Sequence, residues 1–523
     1  MRKAAAGRDH AAANRDGAEA MDQAVAARAE IAQGKLQGVG RDGVLRFNGI
    51  PYAKPPVGPL RWRLPEPPEP WTGVRDASRF GNIAPQVASA SGAVLGTTPG
   101  TRSEDCLYLN VQTPACDDAG RPVMVWIHGG AFNTGAGSVG TYSGKFLVPR
   151  GDIVLVTINY RLGALGFLNL ADATGGKLPG TGAEGLADQI AALRWVKDNI
   201  AAFGGDPHNV TIFGESAGGM SVGALLGAPS ARGLYHKAIP QSGASDIGYA
   251  RETSARVARH VLDALGAEDP TELPWEALLK VQEAMLAAPR EIGVGMPFAP
   301  TIDGTILPRR PILAVAEGAA AGIPLLTGTT RDEWKLFTVA AENLKTLDAV
   351  GLRKMTVRLV GEAHADAVLA GYTAGTPFDR WNEIMTDHSF FVPATRLLEA
   401  QGAHAPVYAY RFDWASPFLG GALGACHALE LGFTFGTLRM KGAAPFFGEG
   451  PEAEALSDAM MDSWIAFAQD GNPSNDTSGA WMRYDAKKRA TTIFGDGAPH
   501  VTSAPNETRR KAWESVPAEK IGA

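Results

Sequence analysis

The sequence predicts an α/β protein with a mostly parallel central sheet, helices on its faces, and helical insertions roofing the site. Two observations carry this. Short apolar or β-branched runs bounded by turn residues recur along the 523 residues, as strands buried on both faces do. Between them lie stretches whose apolar residues step by three and four, the spacing of helices that cover a sheet. A third observation sets the scale. No internal repeat or low-complexity linker divides the chain, so it reads as one large domain, although ~150 residues per domain would suggest three or four.

In chain order, residues 1–28 read as an Ala-rich flexible extension, and a single domain runs from 29 to 523. Met1-Arg2-Lys3 is followed by no apolar h-region, so no secretory signal is expected. The predicted strands are Val123–Ile127, Ile153–Asn159, Val210–Phe213, Lys237–Pro240, Pro324–Leu326, Val407–Phe412 and Thr491–Phe494. The helices include Leu186–Ala202, whose Leu186, Ile190, Leu193, Val196 and Ile200 form one stripe, together with Ala255–Leu265 and Glu454–Ala468. Helix-rich insertions are expected near 251–320 and 338–400. Val123–Gly144 is uncharged and long, but its Gly, Ser, Thr and Asn exclude a membrane helix.

Composition removes several function classes. With 49 Lys+Arg against 55 Asp+Glu the net charge is −6, which lacks the basic footprint of a nucleic-acid binder. Three cysteines make neither a disulfide framework nor a zinc site, and the ten histidines form no HExxH. The expectation is an enzyme without metal or organic cofactor, acting on a small molecule in the cytoplasm, with neither nucleic acid nor membrane as partner. Gly135-Ala136-Gly137-Ser138-Val139-Gly140 matches a dinucleotide fingerprint. No strand directly precedes it and no acid lies near twenty positions on, so it is a false match.

The most informative stretch is Val210 to Gly219, where a strand runs into Gly214-Glu215-Ser216-Ala217-Gly218 and a helix follows. Small residues around a serine permit the sharp turn that lifts its Oγ above a sheet. A serine hydroxyl needs a base, and in this arrangement the order is Ser, acid, His. Of the histidines beyond Ser216, His427 alone follows a small-residue loop, Gly420 to Cys426, just before an apolar stretch; His260 sits in a helical pattern. The acid belongs after the Pro324–Leu326 strand, where spacing leaves Asp332 and Glu333 both open and Asp413 a weaker rival. The turn His128-Gly129-Gly130-Ala131-Phe132 offers N–H groups with no side chain in the way. Gly129, Gly130 and Ala217 are the candidate oxyanion donors. Phe132, Phe337, Trp414, Phe418 and Leu419 are candidates to line an apolar pocket.

These residues resemble the type-B carboxylesterases of the α/β-hydrolase fold, and in the His128–Phe132 turn most nearly the bacterial para-nitrobenzyl esterases. The likeness runs from about Gly38 to Phe494. Phe203-Gly204-Gly205-Asp206-Pro207 through Gly218 resembles the family's serine signature, and Glu104-Asp105-Cys106-Leu107-Tyr108-Leu109-Asn110 its second signature. Gly49 to Ala53, Asn159-Tyr160-Arg161, Asp188-Gln189 and Gln241-Ser242-Gly243 support it. The resemblance implies a serine carboxylester hydrolase with triad Ser216, Glu333 and His427, and so selects Glu333 over Asp332. It also implies that Glu215, Ser242 and Glu430 form a polar network behind His427, that Arg61 pairs with Glu104, and that the protein is a monomer or loose homodimer. Ala84 stands where many eukaryotic members carry a cysteine, so Cys106 is expected to be a free thiol. Val87–Thr101 contains no aromatic residue where cholinesterases carry a tryptophan, which argues against a choline ester; the subgroup often accepts bulky alcohols. The same machinery would serve an amide, a carbamate or acyl transfer, and a binding protein on this fold is the alternative of another class.

Overall fold

The structure is a computed structural model, and it describes residues 25–87, 100–244, 247–287, 294–495 and 497–522. Thirteen strands form one sheet: β1 (Val25–Ile31), β2 (Gly34–Arg41), β3 (Val44–Pro51), β4 (Val74–Asp76), β5 (Tyr108–Thr113), β6 (Arg121–Ile127), β7 (Val154–Ile158), β8 (Gly205–Glu215), β9 (Lys237–Gln241), β10 (Leu325–Thr330), β11 (Val407–Phe412), β12 (Ala490–Gly495) and β13 (Gly497–Ser503). The order is β1-β2-β3-β5-β7-β6-β8-β9-β10-β11-β12-β13, with β4 beside β2. From β7 to β12 every neighbouring pair is parallel. The flanks β1-β2-β3-β5-β7 and β12-β13 are antiparallel.

The parallel strands read as apolar runs because both of their faces are covered. Along β6, Val123, Val125 and Ile127 enter one core while Met124 and Trp126 enter the other, as alternation along a strand requires. The helix Glu184–Asn199 closes the first face with Leu186, Ile190, Leu193 and Val196. The helix Pro451–Asp470 closes the second with Leu456, Met460 and Trp464. All seven strands and all three helices expected from the sequence are present, with ends displaced by at most five residues and Val407–Phe412 matched at both ends. β8 begins five residues early, at Gly205, where it starts to pair with β6.

Sequence periodicity did not single out β1–β5 or β13. β2 alternates buried and exposed positions and includes three glycines, and β13 is largely exposed. The boundary expected at residue 28 falls inside β1, so residues 25–28 pair with β2; the rest of the expected extension lies outside the described residues. The first expected insertion carries the helices Arg251–Leu265, Trp275–Ala287 and Pro311–Ala316, while residues 294–310 run as bends and turns, and 338–400 is mostly helical. Ala349–Val360, Pro377–Thr386 and Val392–Gly402 bound a third apolar cluster with Tyr372, Trp381, Trp513 and Ile521.

Candidate active site

β6 and β8 pair in parallel, with Ile127 opposite Gly214. Two functional turns therefore leave neighbouring strands at the same level. At the end of β8, Ser216 adopts φ +57°, ψ −125°, and the helix Ala217–Gly227 starts at the next residue. A non-glycine residue in this region is strained and persists only where its surroundings enforce it. Here the Ser216 N–H donates to Gln241 O (3.0 Å) and its carbonyl accepts from Met220 N (2.8 Å). The glycines around it answer to packing. A Cβ on Gly218 would lie 2.0 Å from Ile127 O, and one on Gly243 would lie 2.1 Å from Ser216 O.

The turn after β6 approaches the serine as closely. A Cβ on Gly129 would lie 3.0 Å from Ser216 Cβ, and Gly130 sits at φ +110°. The N–H groups of Gly129 and Gly130 bond to no acceptor among the described residues, and Ala217 N opens its helix, where no intrahelical partner exists. His128 stacks on Tyr160, its Nδ1 lies 2.8 Å from Gly129 O, and burial pushes it down to about 4. It is a neutral prop for the turn. Gly135, the first residue of the false dinucleotide match, packs behind it, where a Cβ would lie 2.4 Å from His128 Nδ1.

His427 and Glu333 meet in the buried interior: Nδ1 lies 2.6 Å from Oε2, while Thr330 N donates to Oε1 at 2.8 Å. Glu333 is wholly buried. Asp332 faces the other way, receiving Ala425 N (3.0 Å) and pairing with Lys335 (3.0 Å) and Arg331 (3.1 Å). Burial alone would raise its pKa, but those two cations outweigh it and hold it low. Asp413 is taken by Arg411. His260 stands exposed on the helix Arg251–Leu265.

The remaining imidazole nitrogen has an unexpected neighbour. His427 Nε2 lies 3.0 Å from Glu215 Oε1, though the approach is not aligned for a hydrogen bond. Ser216 Oγ makes no hydrogen bond to His427. Behind them Gln241 Nε2 donates to Glu430 Oε1 (3.2 Å), and Trp464 Nε1 donates to Gln241 Oε1 (3.0 Å). Burial pushes Glu215 up to about 7 and, with Glu215 and Glu333 nearby, pushes Glu430 well above the carboxylate range. Burial disfavours charge on His427, but Glu215 and Glu333 outweigh it and raise the ring above its ordinary value. Ser242 is buried at φ +42° with its Oγ unpartnered.

A cavity of about 770 Å³ opens over Ser216, Ala217, Gly130, Glu215 and His427. Its walls are apolar, with Met220, Leu286, Met296, Trp334, Phe337 and Phe390 among them. Phe337 and Phe390 flank the His427 ring at 5.2 and 4.7 Å between centroids. Of the five apolar candidates only Phe337 lines this space. Phe132 is fully buried in the core, and Trp414, Phe418 and Leu419 line a separate surface groove. Met220, His388 and Phe390 carried no sequence signal, because nothing in their local pattern separates a cavity wall from core. The aromatic-free loop read over Val87–Thr101 lies outside the described residues from 88 to 99. Among the described residues no three His, Cys, Asp or Glu side chains gather as a metal site, and no helix is long and apolar enough to cross a membrane.

A serine on a strained strand-to-helix turn beside free N–H donors defines a hydrolase of the α/β-hydrolase fold. The model of the carboxylesterase family matches residues 25–513. The para-nitrobenzyl esterase of Bacillus subtilis (strain 168) is 42% identical over 493 residues, covering 92% of this chain and 97% of that protein. The phenmedipham hydrolase of Pseudarthrobacter oxydans is 37% identical, covering 90% and 96%. Among solved structures, the Geobacillus stearothermophilus carboxylesterase EST55 superposes with a TM-score of 0.84 at 42% identity, covering 93% of this chain and all of that one. The chain belongs to the carboxylesterase family, and it is a serine carboxylester hydrolase.

Proposed function

We propose that Ser216 attacks the ester carbonyl while His427 removes its proton and Glu333 orients and stabilises the imidazolium. The N–H groups of Gly129, Gly130 and Ala217 receive the oxyanion. Removal of one such donor typically costs about 3 kcal/mol of transition-state stabilisation. The tetrahedral intermediate expels the alcohol, which takes its proton from His427. Water then attacks the acyl-enzyme by the reverse path and regenerates Ser216. The observation that carries this reading is the 2.6 Å contact of His427 with Glu333 beneath a cavity that also holds Ser216. Attack requires the imidazole to turn its Nε2 from Glu215 toward Ser216. Glu430 and Ser242 act behind the ring, and Glu215 acts on its Nε2 rather than on substrate.

The apolar walls favour esters with an uncharged, hydrophobic acid or alcohol portion. Their preference over amides, carbamates or acyl transfer rests on the named esterases among the relatives. We read the enzyme as one domain, monomeric or loosely dimeric, of a reducing compartment such as the cytoplasm. The unbroken sheet supports the first, and three free thiols the last. The test is intact mass after treatment with a fluorophosphonate, alongside hydrolysis of a para-nitrophenyl ester, for wild type and Ser216→Ala. One adduct and turnover in the wild type, with neither in the variant, is the expected result. A folded wild type that takes no adduct would overturn it.

A further inference from the structure

Between the helices Pro377–Thr386 and Val392–Gly402 the chain makes one π turn, Asp387–Phe391. Such a turn inserts a residue into a helix and often marks a functional position. Here it swings His388, Ser389 and Phe390 to the cavity wall, with Phe390 against His427. A distant part of the chain holds this turn from behind. Arg509 Nε donates to Asp387 Oδ2 (2.6 Å), and its Nη2 donates to Oδ1. Tyr372 OH donates to Asp387 Oδ2 (2.5 Å) while accepting from Trp513 Nε1 (2.6 Å).

From Trp513 the chain runs as a strap back to the same turn. Arg396 Nη2 donates to Val516 O (2.9 Å), Lys520 Nζ donates to Val360 O (3.0 Å), and Ile521 is buried in the third apolar cluster. The strap ends in a two-point clasp on one residue. His388 Nε2 lies 3.0 Å from Lys520 O, and Gly522 N donates to His388 O at 3.1 Å. A carbonyl only accepts, so Nε2 carries the proton, and the neutral ring's Nδ1 faces Ser389 Oγ at 3.3 Å. Gly522 itself lines the cavity. Part of the substrate space is therefore walled by chain some 300 residues from Ser216 in sequence, joined to the π turn through the side chain and the carbonyl of one residue, His388.

We propose that His388 and the strap Lys520–Gly522 are specificity-determining: they form the wall that limits the length of apolar group the cavity accepts beside Phe390. His388 is the positioning residue, because it fixes the strap on both sides. This rests on the reading of Ser216 as nucleophile. Each variant is made in the full chain and titrated with fluorophosphonate to count sites with a competent serine. kcat/KM is then measured for para-nitrophenyl esters from acetate to octanoate and for acetates of increasing alcohol length. His388→Ala removes the side-chain half of the clasp and loosens the strap, and the longest-to-shortest ratio of kcat/KM in one series is expected to rise at least about fivefold. Ile521→Ala, which unseats the strap without touching the cavity, shifts the same ratio in the same direction. His388→Gln keeps a donor for Lys520 O and returns the ratio to within about twofold of wild type. A ratio unmoved in fully labelled His388→Ala and Ile521→Ala, or a Gln variant that behaves as Ala, overturns the proposal. A wild type that takes no label would instead overturn the reading of Ser216.

Discussion

Asp332 and Glu333 are neighbours in sequence with opposite surroundings, one held by two cations and the loop before His427, the other by His427 itself. Glu333→Ala should lower kcat on a para-nitrophenyl ester by about 10⁴-fold, the scale seen when a triad acid is lost. Asp332→Ala should cost about tenfold or less, acting only through the Gly424–Ala425 loop. The reverse order in initial rates would exchange their roles. Glu215 yields a pH test. The neutral imidazole is the active base, and Glu215 and Glu333 stabilise its protonated form, so the acid limb of kcat/KM should lie above pH 6.5. Glu215→Gln removes one of those charges. His427 then loses its proton more readily, and the limb should move to lower pH by about one unit. A limb that stays in place or moves up would remove Glu215 from the environment of the base.

At the scale of elements, a buried ion pair ties the loop after β7 to the helix Glu184–Asn199. Arg161 meets Asp188 through Nε and Nη2, both at 2.7 Å, with both side chains out of solvent. Asp188→Ala leaves a buried guanidinium uncompensated and should cost about 3–5 kcal/mol. Asp462→Ala, which removes a partner of the half-exposed Arg150, should cost about 1 kcal/mol or less. Thermal denaturation would show a large fall in midpoint for the first and little change for the second. Fluorophosphonate labelling at low temperature would separate loss of stability from loss of the site. The elements also show what was readable in advance. The parallel strands stood out because burial on both faces makes them uninterrupted apolar runs, and the elbow because Gly214 and Gly218 must admit Ile127 O and the helix backbone. The antiparallel flanks did not: β2 and β13 have partly exposed faces whose polar residues resemble loops, and β5, though buried, is interrupted by Asn110 and Gln112.

At the scale of the whole molecule, residue chemistry alone left two acids open and resemblance to a family selected Glu333. The contact between Glu215 and His427 Nε2 depends on how the elbow and the His427 loop pack together, and no local pattern encodes that. The clasp on His388 joins positions more than 130 residues apart, beyond the reach of spacing arguments. The cysteines were legible: Cys106, expected to lack a partner, is free, as are Cys116 and Cys426. A denatured, unreduced sample should therefore titrate three thiols, and a single thiol would reveal a disulfide. In the native protein only Cys116 is partly exposed, and burial pushes it up to about 11, so it should react slowly.

The pairing of Ile127 with Gly214 has a further consequence. The distance from the serine to its oxyanion donors is inherited from the spacing of two adjacent central strands, about 4.8 Å in any sheet. The wall that sorts substrates hangs instead on insertions and a strap seated by a few hydrogen bonds. Local opening begins where contacts are sparse. Under gradual warming the enzyme should accept longer esters before it stops hydrolysing short ones: its selectivity melts first, and its reactivity last.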